Sequence, residues 1–195
     1  VNFVSASISV SEPEEIYNLG DKLYLTIDLL PGSVSGRFQI DLVCGNESEN
    51  LERFNAEKSF AVGEQETYST WTKLSPEYIG SLSGNCNIVV SLGNERMPTR
   101  QFLITDEVAV TASLEKLDFN PGEAISVKIE AIKANGNPLN GFVEATGAAD
   151  FIKVIEDGSA EEVFAMPETA ESGEYELNLF VYDKDDNSTV LNSAN

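Results

Sequence analysis

The chain has 195 residues, 42% of them hydrophobic, and carries 33 Asp and Glu against 12 Lys and Arg, with no His and a formal net charge of −21. That balance argues against a nucleic-acid partner, since phosphate binding needs clustered cations, and it disfavours an anionic membrane surface. The absence of His excludes a Ser-His-Asp site and removes the commonest general base and metal ligand, and no apolar run reaches the roughly 18 residues of a membrane helix.

Taken in chain order, the elements read as short strands with one apolar and one wet face. Val4, Ala6, Ile8 and Val10 alternate with Ser5, Ser7 and Ser9. Tyr17-Asn18-Leu19-Gly20-Asp21 then leads into Leu23, Leu25, Ile27 and Leu29, all of one parity, and Pro31-Gly32 marks a turn. Phe38, Ile40, Leu42 and Cys44 form the next strand, followed by a polar stretch from Gly45 to Glu66. Pro76 to Leu82 has room for one turn of helix, and Cys86, Ile88, Val90 and Leu92 resume the alternation before a closing strand over Arg100 to Thr105. A boundary near Asp106-Glu107 gives domains over 1–106 and 107–195, joined by a short linker without Gly or Pro. Val108, Val110, Ala112 and Leu114 restart the pattern, and Phe119-Asn120-Pro121-Gly122-Glu123 leads into Ile125, Val127 and Ile129. Turn residues stand at Asn135-Gly136-Asn137-Pro138, Asn140-Gly141 and Asp157-Gly158, and Leu177, Leu179 and Val181 form a late strand. Thr189-Val190-Leu191 is a short closing strand, leaving an edge that a partner chain can complete by β-augmentation.

The chain therefore states one plan twice. Gly20 and Gly122 are 102 residues apart (122 minus 20), whereas Gly84 and Gly173 are 89 apart (173 minus 84), so the first copy is longer by 13 residues between its anchors. The Pro76-Glu77 and Pro167-Glu168 pairs place most of that excess in the polar stretch before Pro76, where insertion is tolerated.

Glu171-Ser172-Gly173-Glu174-Tyr175-Glu176-Leu177 resembles the opening of strand F in immunoglobulin domains, with Tyr175 at the corner tyrosine and Leu177 in the place of the Cys. Phe119 to Glu123 and Asn135 to Gly141 resemble immunoglobulin-like and macroglobulin-like repeats of prokaryotic cell-surface proteins, archaeal ones among them. The resemblance covers most of the second copy and the framework of the first. It implies an all-β fold of two tandem immunoglobulin-like antiparallel sandwiches and an extracellular, cell-surface or secreted location.

Cys44 and Cys86 share parity with apolar neighbours and stand at the end of one strand and the start of the next, so they are expected to form a disulfide tethering the long insertion; this is not the immunoglobulin disulfide. By spacing from the preceding Gly, Cys86 takes the place of Tyr175. Asp183, Asp185 and Asn187 set oxygen ligands at alternate positions, as calcium loops do, although the Gly and distal Glu of an EF-hand are absent and a polar turn accounts for the same residues; no other cofactor is implied. Asn46 and Asn187 fit the glycosylation acceptor pattern. Trp71 is the best candidate binding contact, against the rule that a lone Trp belongs to a core. Paired carboxylates at Glu14 with Glu15, Glu156 with Asp157 and Glu161 with Glu162 lie on polar stretches, where solvation accounts for them. An internal crosslink between Lys128 and Asn178 fails because both have outward parity.

These features describe a non-enzymatic structural module of a larger prokaryotic surface protein, a stalk, surface-layer or filament component whose partners are other subunits or further repeats. The alternative is an adhesion module that binds a glycan or protein through loops of its first domain.

Overall fold

Alternating burial builds the sheets. In the strand over Lys22–Leu30 the side chains of Leu23, Leu25, Ile27 and Leu29 are buried while Lys22, Tyr24 and Thr26 face solvent, the period-two pattern of a sheet with one dry face. The computed structural model describes residues 7–30, 38–51 and 64–185, and the backbone of 192–194. The chain divides into two units, Val1–Thr105 and Asp106–Asn195, each an immunoglobulin-like antiparallel β-sandwich around its own apolar core. No helix among the described residues is long and apolar enough to cross a membrane.

In the first unit β1 (Ser7–Val10), β3 (Lys22–Leu30) and β6 (Glu66–Lys73) form one sheet in the order β1-β3-β6. The opposing sheet is built from β2 (Ile16–Asn18), β4 (Phe38–Cys44), β5 (Glu47–Asn50), β7 (Gly84–Leu92) and β9 (Phe102–Thr105), in the order β2-β9-β7-β4-β5, with β8 (Glu95–Pro98) also on β7. The chain crosses between sheets at Pro13, which has no N–H to offer a ladder, and β2 then pairs in parallel with β9. Arg100 fixes that crossing: its Nε and Nη2 donate to the Pro13 carbonyl at 3.0 and 2.5 Å, and its backbone N–H donates to the Glu12 carboxylate at 2.8 Å. The single helical turn among the described residues is α1 (Pro76–Ile79).

The second unit repeats the plan with β10 (Val108–Leu114), β11 (Ala124–Lys133) and β14 (Ser159–Ala165) in one sheet, ordered β10-β11-β14. Facing it are β12 (Gly141–Gly147), β13 (Phe151–Ile155), β15 (Leu177–Asp183) and β16 (Asn192–Ala194), ordered β13-β12-β15-β16. The extra length of the first unit falls between β5 and β6. The second unit makes the corresponding connection, β13 to β14, with Asp157 and Gly158, both at positive φ (49° and 76°). The start of the first strand, the Pro31-Gly32 turn, most of the insertion, and Thr189-Val190-Leu191 lie outside the described residues; the closing strand that is described is β16.

The doubled sequence motif is a doubled turn. Gly20 and Gly122 take φ values of 90° and 77°, the left-handed region in which glycine carries no Cβ penalty. The Gly20 N–H donates to the Leu74 carbonyl at 2.7 Å and the Leu74 N–H returns to Asp21 at 2.8 Å; Gly122, Met166 and Glu123 repeat both bonds at 2.9 Å. The acid closes the turn: the Asp21 carboxylate accepts from the Asn18 N–H at 2.7 Å and that of Glu123 from the Asn120 N–H at 2.9 Å.

The Asn120 N–H, together with the Lys116 ammonium, holds the Glu123 carboxyl below its ordinary value of 4.5. Its contribution to stability is complete above about pH 4.5 and is lost as the pH falls through the lower value of the folded state. Glu123→Gln is expected to melt below the parent at neutral pH, with the gap closing on acidification below about pH 4. Calorimetric melts across that range test it, and a gap that does not change with pH contradicts it.

Candidate functional site

The antiparallel register of β3 and β6 sets Lys22 opposite Lys73, Tyr24 opposite Trp71, Thr26 opposite Ser69 and Asp28 opposite Thr67. The intervening residues of β3 fill the core, so this ladder faces solvent, with Tyr24 63% and Trp71 46% exposed. Directly opposed side chains lie close enough to act as one surface. The Lys22 ammonium lies 4.9 Å from the centre of the Trp71 ring. Thr67 Oγ1 donates to Asp28 Oδ1 at 2.5 Å, and the Thr26 N–H donates to Ser11 Oγ at 2.9 Å. Two adjacent aromatic rings are thus bordered on one side by hydroxyls and a carboxylate and on the other by two amines. Facing lysines repel, and an anion held between them relieves the repulsion.

Cys44 and Cys86 are joined in a disulfide at the rung where the β4–β7 ladder ends. The bond therefore lies within one sheet, and it stands immediately before the two-residue turn Gly45-Asn46. The β12–β15 ladder of the second unit ends on Gly147 and Leu177, so ladder position matches Cys86 to Leu177 and corrects its match to Tyr175. Tyr175 precedes β15, is exposed, and donates its hydroxyl to the Glu171 carbonyl at 2.9 Å, as the corner tyrosine of an immunoglobulin fold does.

Trp71 is at the surface, against the composition rule. Of the residues in the calcium pattern Asp183, Asp185 and Asn187, Asp183 is buried and its Oδ2 lies 2.6 Å from the Lys133 ammonium, which is also 3.8 Å from the Asp185 carboxylate. A resident ammonium repels a metal cation, and no group of three His, Cys, Asp or Glu among the described residues is placed to hold one. Asn187 lies outside the described residues; Asn46 is exposed in its turn. The carboxylate pairs do not converge. Glu161 accepts from Ser126 Oγ at 2.9 Å while Glu162, on the other face of β14, pairs with Lys153 at 2.9 Å, and Glu14, Glu15, Glu156 and Asp157 are exposed.

Two further features were missed in the sequence. Lys133 and Asp183 are charged residues at core parity, following Ile129 and Ala131 in β11 and Leu179 and Val181 in β15, and parity alone would have found them. The second is an apolar outer face on the β13-β12-β15 side of the second unit. Ile152 is 70% and Val154 61% exposed, and the Phe142 and Tyr182 rings stack beside them at 4.6 Å. The Tyr182 hydroxyl donates to Glu144 at 3.1 Å, and desolvation followed by that carboxylate raises its pKa.

No family model matches the chain, and no curated protein matches it. Among solved structures it is similar to the fibronectin(III)-like modules of Clostridium thermocellum CbhA, at 16% identity over 97% of this chain and 91% of that one, with a TM-score of 0.30. The immunoglobulin-like assignment rests on the strand pairing itself.

The disulfide closes a sequence separation of 42 residues. By chain entropy a link of that span stabilises on the order of 4 kcal/mol, so reductant is expected to lower the melting transition of the first unit and leave that of the second in place. Calorimetry with and without dithiothreitol reads both, and two titratable thiols in the native, unreduced protein contradict the bond.

Proposed function

We propose that the chain is a non-enzymatic module of a larger extracellular surface protein, and that its first sandwich binds a saccharide on the outward face of β3 and β6. The observation that carries this is the exposed cross-strand pair of Tyr24 and Trp71. Aromatic rings contribute large apolar area when buried, and two of them left adjacent at a surface offer a contiguous apolar area for a partner to cover. The C–H face of a sugar ring stacks on such rings, while its hydroxyls meet the Thr26, Ser69, Asp28 and Thr67 side chains alongside. Lys22 and Lys73 face each other at the same spot in a chain with 12 cations against 33 acids. They fit a carboxylate or sulfate on the sugar. The disulfide supports an oxidising compartment.

A second reading, the stalk, surface-layer or filament component, draws on a different observation. The outer face bearing Ile152, Val154 and the stacked Phe142–Tyr182 pair fits another subunit or a further repeat, because apolar side chains grouped on one sheet face lose water on contact.

Titration with neutral and uronate-bearing oligosaccharides, followed by fluorescence of the single Trp, separates the two. Binding is expected to shift and shield the Trp71 emission. Trp71→Ala is expected to weaken affinity at least about tenfold, equivalent to roughly 1.4 kcal/mol, and Lys22→Ala to weaken it for the acidic sugars alone. No spectral response to any sugar, together with self-association that Val154→Asp abolishes, favours the second reading.

A further inference from the structure

Lys133 and Asp183 end strands in opposite sheets of the second unit, β11 and β15. Their side chains are 5% and 2% exposed, and Nζ lies 2.6 Å from Oδ2. Both are held in place by backbone. The Lys133 N–H donates to the Asn137 carbonyl and its own carbonyl accepts from Gly136, each at 2.9 Å, while Asp183 Oδ1 accepts the Asp185 N–H at 2.9 Å. Opposite Asp183 on β12 stands Gly141, where a Cβ would meet the Tyr182 carbonyl oxygen at 1.8 Å. A third group stands by: the Asp185 carboxylate, half exposed, 3.8 Å from the same Nζ.

An amine pressed against a carboxyl group, shielded from water and beside a second carboxylate is an arrangement for condensation as well as for ion pairing. We propose that Lys133 and Asp183 join through an intramolecular amide, an isopeptide link between the two sheets of the unit. The ion pair passes its shared proton along the 2.6 Å contact, giving a neutral amine and a carboxylic acid. The nitrogen lone pair attacks Cγ, one bond from the oxygen it already touches. The Asp185 carboxylate takes a proton from the attacking nitrogen and returns it to the departing hydroxyl. A C–N bond forms, a C–O bond breaks and one water leaves; an ammonium and a carboxylate are consumed together, so net charge is unchanged and no oxidant or other reactant enters. Fixed geometry replaces the entropy of bringing the two groups together, which in oriented intramolecular reactions is worth effective molarities of about 10⁵ M and above.

Intact-mass measurement of the purified full chain, reduced so that the disulfide does not enter the count, tests the link. The expected mass is lower than the sequence mass by about 18 Da, one water, and digestion is expected to yield a branched peptide carrying Lys133 and Asp183. Lys133→Arg is expected to restore the mass calculated for its own sequence, and Asp185→Asn to slow the appearance of the branched species at least about tenfold. The full sequence mass in folded wild-type protein overturns the proposal whether or not the Lys133 variant folds. A water loss that maps to a cyclised Asp instead of a branched peptide overturns it as well, and an unchanged rate in Asp185→Asn removes Asp185 from the reaction.

Discussion

The turn at Gly20 and its copy at Gly122 is the constraint on which the rest of each unit depends. It ties the entry of β3 to Leu74, just after β6, and the entry of β11 to Met166, just after β14. Those paired backbone bonds set the register between two strands far apart in sequence. A slip of one residue would turn every side chain to the opposite face: Leu23, Leu25 and Ile27 would go to solvent, and Tyr24, Lys22 and Thr26 into the core. The aromatic face of the first unit and the inward aim of Lys133 in the second are therefore products of the same small motif. The glycine is needed for its backbone conformation and the acid for its carboxylate. This accounts for two copies that keep Asn-x-Gly-acid while the residues around it differ.

Much of the framework was legible because the strongly alternating strands, β3, β4, β7, β11 and β15, bury one face fully. The strands that escaped notice have physical reasons for doing so. β6 lies at a sheet edge and fills its inward positions with Tyr68, Thr70 and Thr72, of which Tyr68 packs edge-on against Phe38 at 5.6 Å. It reads as a polar segment because its core contribution is amphipathic. In β13 both parities are apolar, Ile152 and Val154 outward and Phe151 and Ile155 inward, so the alternation is hidden. The aromatic face was half legible: Trp71 stood out as a residue type, but its neighbour across the sheet is 47 positions away (71 minus 24), and only the register makes them a pair.

Charge at core parity was the signal with the most to say. The parity that removes Lys128 and Asn178 from a buried crosslink selects Lys133 and Asp183. The calcium pattern overlaps with this one for a related reason. Oxygen ligands at alternate positions and side chains on one face of a strand have the same spacing of two, so Asp183 and Asp185 satisfied a loop pattern while the first of them continued the inward face of β15. Burying a lone carboxylate is costly, and removing one partner of a buried ion pair costs about 3–5 kcal/mol. A charged residue in an inward position therefore requires an opposite charge in an inward position elsewhere, and the sequence offers Lys133.

The two links, Cys44–Cys86 and Lys133–Asp183, do different work. Cys44 and Cys86 belong to neighbouring strands that already share a ladder, so the disulfide adds little to the cohesion of that sheet. Its effect is on the unfolded chain, whose loop it closes, and that loop contains the long connection between β5 and β6. Lys133 and Asp183 belong to opposing sheets, between which no ladder runs among the described residues. A bond there resists the separation of the sheets directly. Each link also removes a segment from the length that tension can extend, the residues between 44 and 86 in the first unit and between 133 and 183 in the second. Within the first segment lie β5 and β6, and within the second β12, β13 and β14, so a pull on the chain ends would be carried past them by the covalent links. β6, which carries Trp71 and Lys73, and β13, which carries Ile152 and Val154, both fall inside the shielded segments, whereas β3 with Tyr24 and Lys22 is held by its ladder to β6.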